Sequence, residues 1–329
     1  MYTQFFDLKE RPFGLSPDPR YFFGSRGHSR VLAYLRYGVQ QGEGFVVITG
    51  EVGTGKTTLV RTLLDELAAE SNLVVSQLVS TQVGRDDLLH LVASSYGLET
   101  EGLAKAHVLN RLQSFFAAEN EAGRRVLLVV DEVQQLGFEA LEELRMLSNF
   151  QAGARPMFQS FLVGQGEFRS TLRDPGLEQL RQRVIAAHHL EPMDEADTRA
   201  YVRHRLEVAG WAGDPELEEE IFPGVYQWSG GVPRRINTLF DRLLLVAATE
   251  ESHRIDTALL QTAIAELAEE AGGPAPAAPV PASAPPAAAG PLEARVAELE
   301  ARVARFEAIV DQAQGLLRAL LAGTGDRRG

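Results

Sequence analysis

The sequence contains no cysteine, which excludes disulfide scaffolds, thiolate zinc sites and cysteine nucleophiles. It contains no apolar run of 18 residues; Phe45–Ile48, Val126–Val130 and Leu243–Ala248 are the longest candidates, and all are too short to cross a bilayer. The opening Met1-Tyr2-Thr3-Gln4-Phe5-Phe6-Asp7 lacks the basic start and apolar stretch of a secretory signal, so the cytoplasm is the expected compartment. Positive charge is in short supply: 32 Lys and Arg stand against 45 Asp and Glu, a net charge of −13. That balance argues against a surface that coats nucleic acid, a local basic patch excepted. Lysine is scarcest of all, with only Lys9, Lys56 and Lys105, so a position that keeps lysine rather than arginine is informative. What is present, 45% hydrophobic and 23% charged residues over 329 positions, describes a folded chain with room for more than one domain.

Residues 272–291 read GGPAPAAPVPASAPPAAAGP, with seven of the 16 prolines and no charge. Such a stretch neither builds a core nor propagates a helix and is expected to be a semi-extended linker over 271–291. Beyond it, Leu292, Val296, Leu299, Val303, Phe306, Val310, Ala313, Leu317 and Leu320 alternate spacings of four and three. This is the seam of a coiled coil over 292–322, followed by a disordered tail at 323–329. An amphipathic helix folding back on the chain's own body is the alternative reading.

Before the linker, β-rich apolar runs alternate with helical periods, the pattern of a parallel sheet covered by helices. Strands are expected near Phe45–Thr49, Leu73–Leu78, Val126–Val130, Gln159–Val163 and Val184–Leu190, with helices at about 55–69, 85–96, 103–121, 138–149 and 167–182 between them. After Leu190 the strand signals stop, and helices at about 194–209, 214–228, 232–249 and 256–270 predict a smaller helical domain over 191–270. Residues 1–42 are expected to pack on the α/β domain at 43–190. Tyr21-Phe22-Phe23 and Tyr34-Tyr37 belong to that packing or, alternatively, stack on a base. Trp211 and Trp228 are expected in the core of the helical domain.

The first strand runs into Gly50-Glu51-Val52-Gly53-Thr54-Gly55-Lys56-Thr57, a full match to G-x-x-x-x-G-K-[ST], with Thr58 continuing into a helix. Glycines let the backbone turn its N–H groups around phosphate oxygens, and the helix that starts there adds its positive end. Lys56 would reach the β- and γ-phosphates and Thr57 would hold Mg²⁺. The strand Val126–Val130 ends in Asp131-Glu132. Beside a phosphate loop, Asp131 suits the Mg²⁺ shell and Glu132 suits polarising an attacking water; alone, two such acids also fit a solvated turn. Gln165 follows the strand Gln159–Val163, where its amide lies beside the same water or serves as a plain turn residue. Arg181 and Arg183 precede the last strand, and Gly230-Gly231-Val232-Pro233-Arg234-Arg235-Ile236-Asn237 opens a helix of the second domain. His188 and His189 are adjacent in a strand, so they point to opposite faces and form no two-histidine metal site by themselves.

With the phosphate loop, the Asp131-Glu132 strand end, LRQRV and GGVPRRIN together, the chain resembles the AAA+ ATPases, P-loop NTPases with an α/β core and a helical lid. FFDLKERPFGLSPDPRYFFGSRGHSRVLAYLRYGVQQGEGFVVITGEVGTGKTT looks like the ATPases related to general-secretion-pathway protein A. LEELRMLSNFQ, VGQGEFR and LRQRVIAAHHLEPMD are similar to the ATPase of exosortase (PEP-CTERM) exopolysaccharide gene clusters. The resemblance spans about residues 2–268. It implies ATP and Mg²⁺ as ligands, with Lys56 and Thr57 as Walker A, Asp131 and Glu132 as Walker B, Gln165 as first sensor and Arg234 as second sensor. Arg183, with Arg181 as alternate, takes the place of the arginine finger supplied to a neighbouring subunit, and His28 falls near the base in many relatives.

The resemblance further implies a homo-oligomer, with hexamers the superfamily's tendency. It also implies a protein partner in an exopolysaccharide or secretion system that brings the chain to the inner membrane without an integral segment. The family usually reads DEAQNL where this chain has Asp131-Glu132-Val133-Gln134-Gln135-Leu136, leaving the carboxylates intact. The resemblance does not extend to the transmembrane segment and cell-wall-binding domain of secretion-pathway relatives. Two other readings compete: a nucleotide-dependent DNA adaptor of the transposition-helper or initiator kind, which the acidic balance disfavours, and a nucleotide-held scaffold without turnover, which has no use for Glu132.

Overall fold

The computed structural model describes residues 1–270, apart from residues 17, 69–71, 80–84 and 154. The expected linker at 271–291, coiled coil at 292–322 and tail at 323–329 lie outside the described residues. Five strands form one sheet: β1 (Phe45–Gly50), β2 (Leu73–Val79), β3 (Arg125–Asp131), β4 (Phe158–Gly164) and β5 (Val184–Leu190). Their order is β2-β3-β4-β1-β5, and every neighbouring pair is parallel. Parallel strands need crossover connections, which put helices over both faces and bury the central strands on both sides. All six residues of β1 are buried accordingly.

The two-residue period of the strands sorts their side chains into two cores. Val46, Ile48, Leu127, Val129, Phe161 and Val163 face α1 (Arg26–Gln41) and α2 (Lys56–Ala68). Phe45, Val47, Val126, Leu128, Val130, Phe158 and Leu162 face α3 (Arg85–Ser95), α4 (Lys105–Glu121) and α5 (Phe138–Leu147). Burying a side chain of this size is worth about 1.5–3 kcal/mol, so the two cores together hold the sheet between its helical layers. Helix α1 is absent from the expected elements although its signals are ordinary. Ser25 caps its start, accepting from the His28 N–H, Gly42 ends it in the left-handed region, and Val31, Leu35 and Val39 recur every four residues on its buried face.

Helices α6 (Glu195–Val208), α7 (Ile221–Ser229), α8 (Pro233–Thr249) and α9 (Thr257–Glu270) form the second domain. Its core is led by Ile236, Leu239, Phe240, Leu243 and Leu244 of α8, and Trp211 and Trp228 are only partly buried against it. Two expected helices need correction. The span 167–182 is broken into turns at Phe168–Thr171, Pro175–Leu177 and Glu178–Arg181, because Pro175 lacks an N–H and drives Asp174 to an extended ψ of 131°. The span 214–228 becomes helical only at Ile221, since Glu216–Leu217 pairs with Arg254–Ile255 instead. The N-terminal segment also divides. Tyr2, Phe6, Leu8 and Phe13 insert into the helical domain's core rather than onto the sheet, whereas α1 and Phe22 pack on the sheet side. Arg11 pins this leader to α8 by pairing with Asp241 at 2.8 Å, and the Tyr2 hydroxyl donates to the same carboxylate at 2.5 Å.

Candidate active site

Because the sheet is parallel, the carboxyl ends of β1, β3 and β4 meet at one edge, where crevices of open α/β sheets take ligands. From β1 the chain enters the loop 51–55 and then α2. Gly53 and Gly55 adopt φ of +86° and +94°, a region closed to most side chains. A Cβ on Gly53 would also stand 2.5 Å from the Cβ of Arg234. Thr54, fully buried, donates its hydroxyl to the Glu51 carbonyl at 2.9 Å and fixes the loop's curl. Lys56 is 6% exposed, and its ammonium donates to the carbonyls of Gly50 at 2.9 Å and Glu51 at 2.8 Å. Burial pulls the Lys56 pKa below its ordinary value, an effect opposed by the charges of Glu132, Asp131 and Glu51.

The Thr57 hydroxyl donates to Asp131 Oδ2 at 2.8 Å, joining the start of α2 to the end of β3. Asp131 Oδ1 accepts from the Glu132 N–H at 2.9 Å, so both carboxylate oxygens are held. Glu132 itself sits in the left-handed region at φ +52°, ψ +39°, a conformation that costs a non-glycine residue about 1 kcal/mol or more. The backbone kink takes its side chain out of the strand's line and into the crevice. Gln165, just past β4, donates its amide to Glu132 Oε2 at 3.2 Å.

A cavity of about 230 Å³ opens over the loop, and Val52, Gly53, Gly55, Lys56, Thr57, Thr58, Glu132 and Arg234 line it. Gly50, Glu51 and Thr54 lie behind this lining, where the Gly50 and Glu51 carbonyls hold Lys56 and the Thr54 hydroxyl holds the Glu51 carbonyl. The helical domain closes one side directly: the Arg234 N–H donates to the Gly53 carbonyl at 3.1 Å. Arg183 lies at the opposite end of the sheet, where it donates to the carbonyl and hydroxyl of Ser148, each at 2.9 Å. Arg181 is exposed and donates to the Leu172 carbonyl at 3.2 Å. Neither reaches this chain's own cavity. Gln135 is exposed. His188 stacks on Tyr34 while His189 abuts Gly166, on different sides of β5.

Other walls of the cavity were not marked in the sequence. Asp18, Tyr21, Phe22 and Phe23 cross over it from the N-terminal segment, and Tyr201, Arg205 and Asn237 face them from the helical domain. Buried Arg205 ties the two together, donating to the Pro12 carbonyl and, at 2.9 Å, to the Tyr201 hydroxyl, with Tyr21 stacked against its guanidinium. Only the run of aromatics at 21–23 hinted at this wall. A larger groove of about 1120 Å³ beside α3 and α4 is lined by His90, Leu98 and Glu99; among the described residues it holds neither a phosphate loop nor a group of three or more metal ligands, so volume alone does not locate the chemistry.

His28 lies against the phosphate loop rather than open to the cavity alone. Its Nε2 meets the Thr54 carbonyl at 3.0 Å and its Nδ1 the Ser25 hydroxyl at 2.7 Å. Thr54 offers only an acceptor, so the proton belongs on Nε2 and Nδ1 accepts from Ser25. Burial lowers the His28 pKa, with the Thr54 carbonyl and Asp197 opposing. The neutral form is thus the folded form. The stability it contributes is complete above the ordinary value of 6.5 and is lost as pH falls through the lower folded pKa. Thermal melts from pH 8 to 5 are expected to show wild type losing stability relative to His28→Gln as pH falls; a constant difference would refute the assignment.

The donor set suits Mg²⁺ with a nucleoside triphosphate: one hydroxyl and one carboxylate in contact, a buried ammonium, and a loop of N–H groups at a helix start. Among the described residues no group of three or more His, Cys, Asp or Glu could hold a metal. No helix among the described residues is long and apolar enough to cross a membrane.

Comparison with known proteins agrees with this geometry. Residues 39–172 match the family model of an AAA domain. The chain is 41% identical over 256 residues to general secretion pathway protein A of Aeromonas hydrophila, covering 78% of this chain and 46% of that protein, so it spans about half the length of this relative. Among solved structures, CDC6P of Pyrobaculum aerophilum has a TM-score of 0.63 at 14% identity, covering 80% of this chain and 71% of that one. The ORC2 protein of Aeropyrum pernix has a TM-score of 0.61 at 18% identity, covering 78% and 71%. RuvB of Thermotoga maritima has a TM-score of 0.51 at 21% identity, covering 74% and 69%. The likeness to these structures is one of fold: the chain has the P-loop AAA+ fold, with residues 39–172 matching an AAA domain and 256 residues similar to general secretion pathway protein A.

Proposed function

We propose that the protein is a Mg²⁺-dependent ATP hydrolase that turns over within a homo-oligomer and drives or gates a secretion process, or one linked to exopolysaccharide and exosortase systems. The observation that carries the hydrolase reading is the Thr57–Asp131 contact of 2.8 Å with Glu132 kinked into the crevice beside it and Gln165 on its carboxylate. Loop N–H groups and Lys56 would hold the β- and γ-phosphates, and Thr57 with Asp131 would hold Mg²⁺, which when bound neutralises charge on the phosphate oxygens. Glu132 takes a proton from the attacking water, Gln165 fixes Glu132 and the water's approach, and Arg234 reports on the nucleotide from the helical domain. Arg183, or Arg181 in its place, completes a neighbouring subunit's site. Support for a nucleotide comes also from the ORC2 likeness, since that protein was solved with ADPNP and ADP. The secretion reading rests on the 41% identity to general secretion pathway protein A, and the exopolysaccharide and exosortase reading on the LEELRMLSNFQ, VGQGEFR and LRQRVIAAHHLEPMD stretches.

A nucleotide-dependent DNA adaptor is the second reading, favoured by the fold it shares with the ORC1 protein of Aeropyrum pernix, solved in complex with DNA. Filter binding of duplex DNA with ATP at several salt concentrations separates the two. The hydrolase reading expects weak binding, consistent with a net charge of −13; tight binding that falls steeply with salt would replace it with the adaptor.

A further inference from the structure

We infer that Gln134 is a positioning residue for the Glu132 carboxylate and couples it to the end of β4, an inference that rests on reading Glu132 as the base. Gln134 lies in the single turn Val133–Gln135 that follows Glu132. Its Nε2 donates to Glu132 Oε2 at 2.5 Å, and its Oε1 accepts from the Gln165 N–H at 3.0 Å. The backbone N–H is a donor only, so the amide's orientation is fixed: oxygen toward Gln165, nitrogen toward Glu132. Gln165 donates its own side-chain amide to the same Oε2 at 3.2 Å. Two amides therefore converge on one carboxylate oxygen. Glu132 Oε1 makes no hydrogen bond among the described residues, which leaves it to receive a proton from water.

Two further features aim Gln134 this way. Val133, fully buried, anchors the turn in the core beneath it. Gly164 clears the path, since a Cβ there would stand 2.7 Å from Gln134 Oε1 and 2.7 Å from Val133 Cγ1. The result is a side-chain bridge between the ends of β3 and β4, beyond the last pair of their ladder, Val130 with Leu162. A carboxylate held at one oxygen by two donors is fixed in rotation, and a base must be within about 0.5 Å of its place to work. Displacement of Gln165 by the bound phosphate would reach Glu132 through this bridge.

The test uses the full chain with Glu132→Gln, Gln134→Ala and Gln134→Glu, measuring kcat and equilibrium ATP affinity. Gln134→Ala is expected to lower kcat about 10-fold or more with affinity within about 2-fold, because Gln134 makes no hydrogen bond to the phosphate loop. Gln134→Glu keeps the acceptor for the Gln165 N–H but puts an oxygen where the donor to Glu132 stood, so kcat is expected to fall by a similar factor with affinity again within about 2-fold. A purely structural role would lower kcat and affinity together, and if the alanine variant does not fold, the near-isosteric glutamate variant decides. Wild-type or faster hydrolysis in both Gln134 variants would overturn the inference. An inactive Glu132→Gln alongside wild-type Gln134 variants would overturn the positioning role alone, whereas an active Glu132→Gln would overturn the base reading itself.

Discussion

Glu132→Gln is expected to lower ATP hydrolysis by about 10²–10⁴-fold, the usual worth of a positioned general base, while ATP with Mg²⁺ still binds within about twofold of wild type. The substitution preserves shape and still offers an oxygen to the amides of Gln134 and Gln165. It removes only the capacity to take a proton. The binding groups are elsewhere: the loop precedes α2 and Lys56 begins it, and Thr57 and Asp131 touch each other without help from the Glu132 side chain. The left-handed backbone at Glu132 is kept, because the constraint comes from the buried Val133 and from the Asp131 carboxylate accepting the Glu132 N–H. Phosphate release and equilibrium binding of a fluorescent ATP analogue, measured on one preparation, check both halves.

Arg183→Ala is expected to lower hydrolysis by about 10³-fold or more, the loss that follows removal of an arginine finger. Arg183 lies at the far end of the sheet on Ser148, so no loss of ATP affinity should accompany it. A residue that acts on a neighbour's site also makes a second prediction. Mixing Arg183→Ala, which keeps a complete Glu132 site, with Glu132→Gln, which keeps the arginine, should restore hydrolysis above either variant alone. Arg181→Ala is the companion measurement, since Arg181 is the exposed one of the pair. Recovery in the Arg181 mixture but not the Arg183 mixture would move the role to Arg181, and no recovery in either would contradict action between subunits.

Much of this architecture could be read before any coordinates. All five strands of the sheet fall within a residue or two of their expected places, because buried parallel strands leave short β-branched runs between helical periods. The phosphate loop and the Asp131-Glu132 strand end were legible for a chemical reason: they are contiguous in sequence and restricted in residue type. What escaped was assembled from distant parts. The cavity wall brings Tyr21 and Phe22 against Arg205, and the leader's Tyr2 and Phe13 join a core made mainly by residues after 193. No local period encodes such a pairing. Helix α1, outside the expected elements, nevertheless carries its own local signals in a Ser25 cap and a regular buried face. Gln134 was legible as a letter in a motif, but its task depends on Gly164 and Gln165, thirty residues on in the chain.

The most direct measurement is the rate of ATP hydrolysis per molecule across a dilution series of the purified chain, with Lys56→Ala as the blank. Lys56 is buried and lines the cavity over the loop, and in the proposed reading it holds the phosphates, so its alanine variant reports everything that is not this site. Specific activity that rises with protein concentration, above a flat and near-zero Lys56→Ala line, is the result expected of a site completed by a neighbour. Activity indistinguishable from Lys56→Ala at every concentration would contradict the hydrolase account.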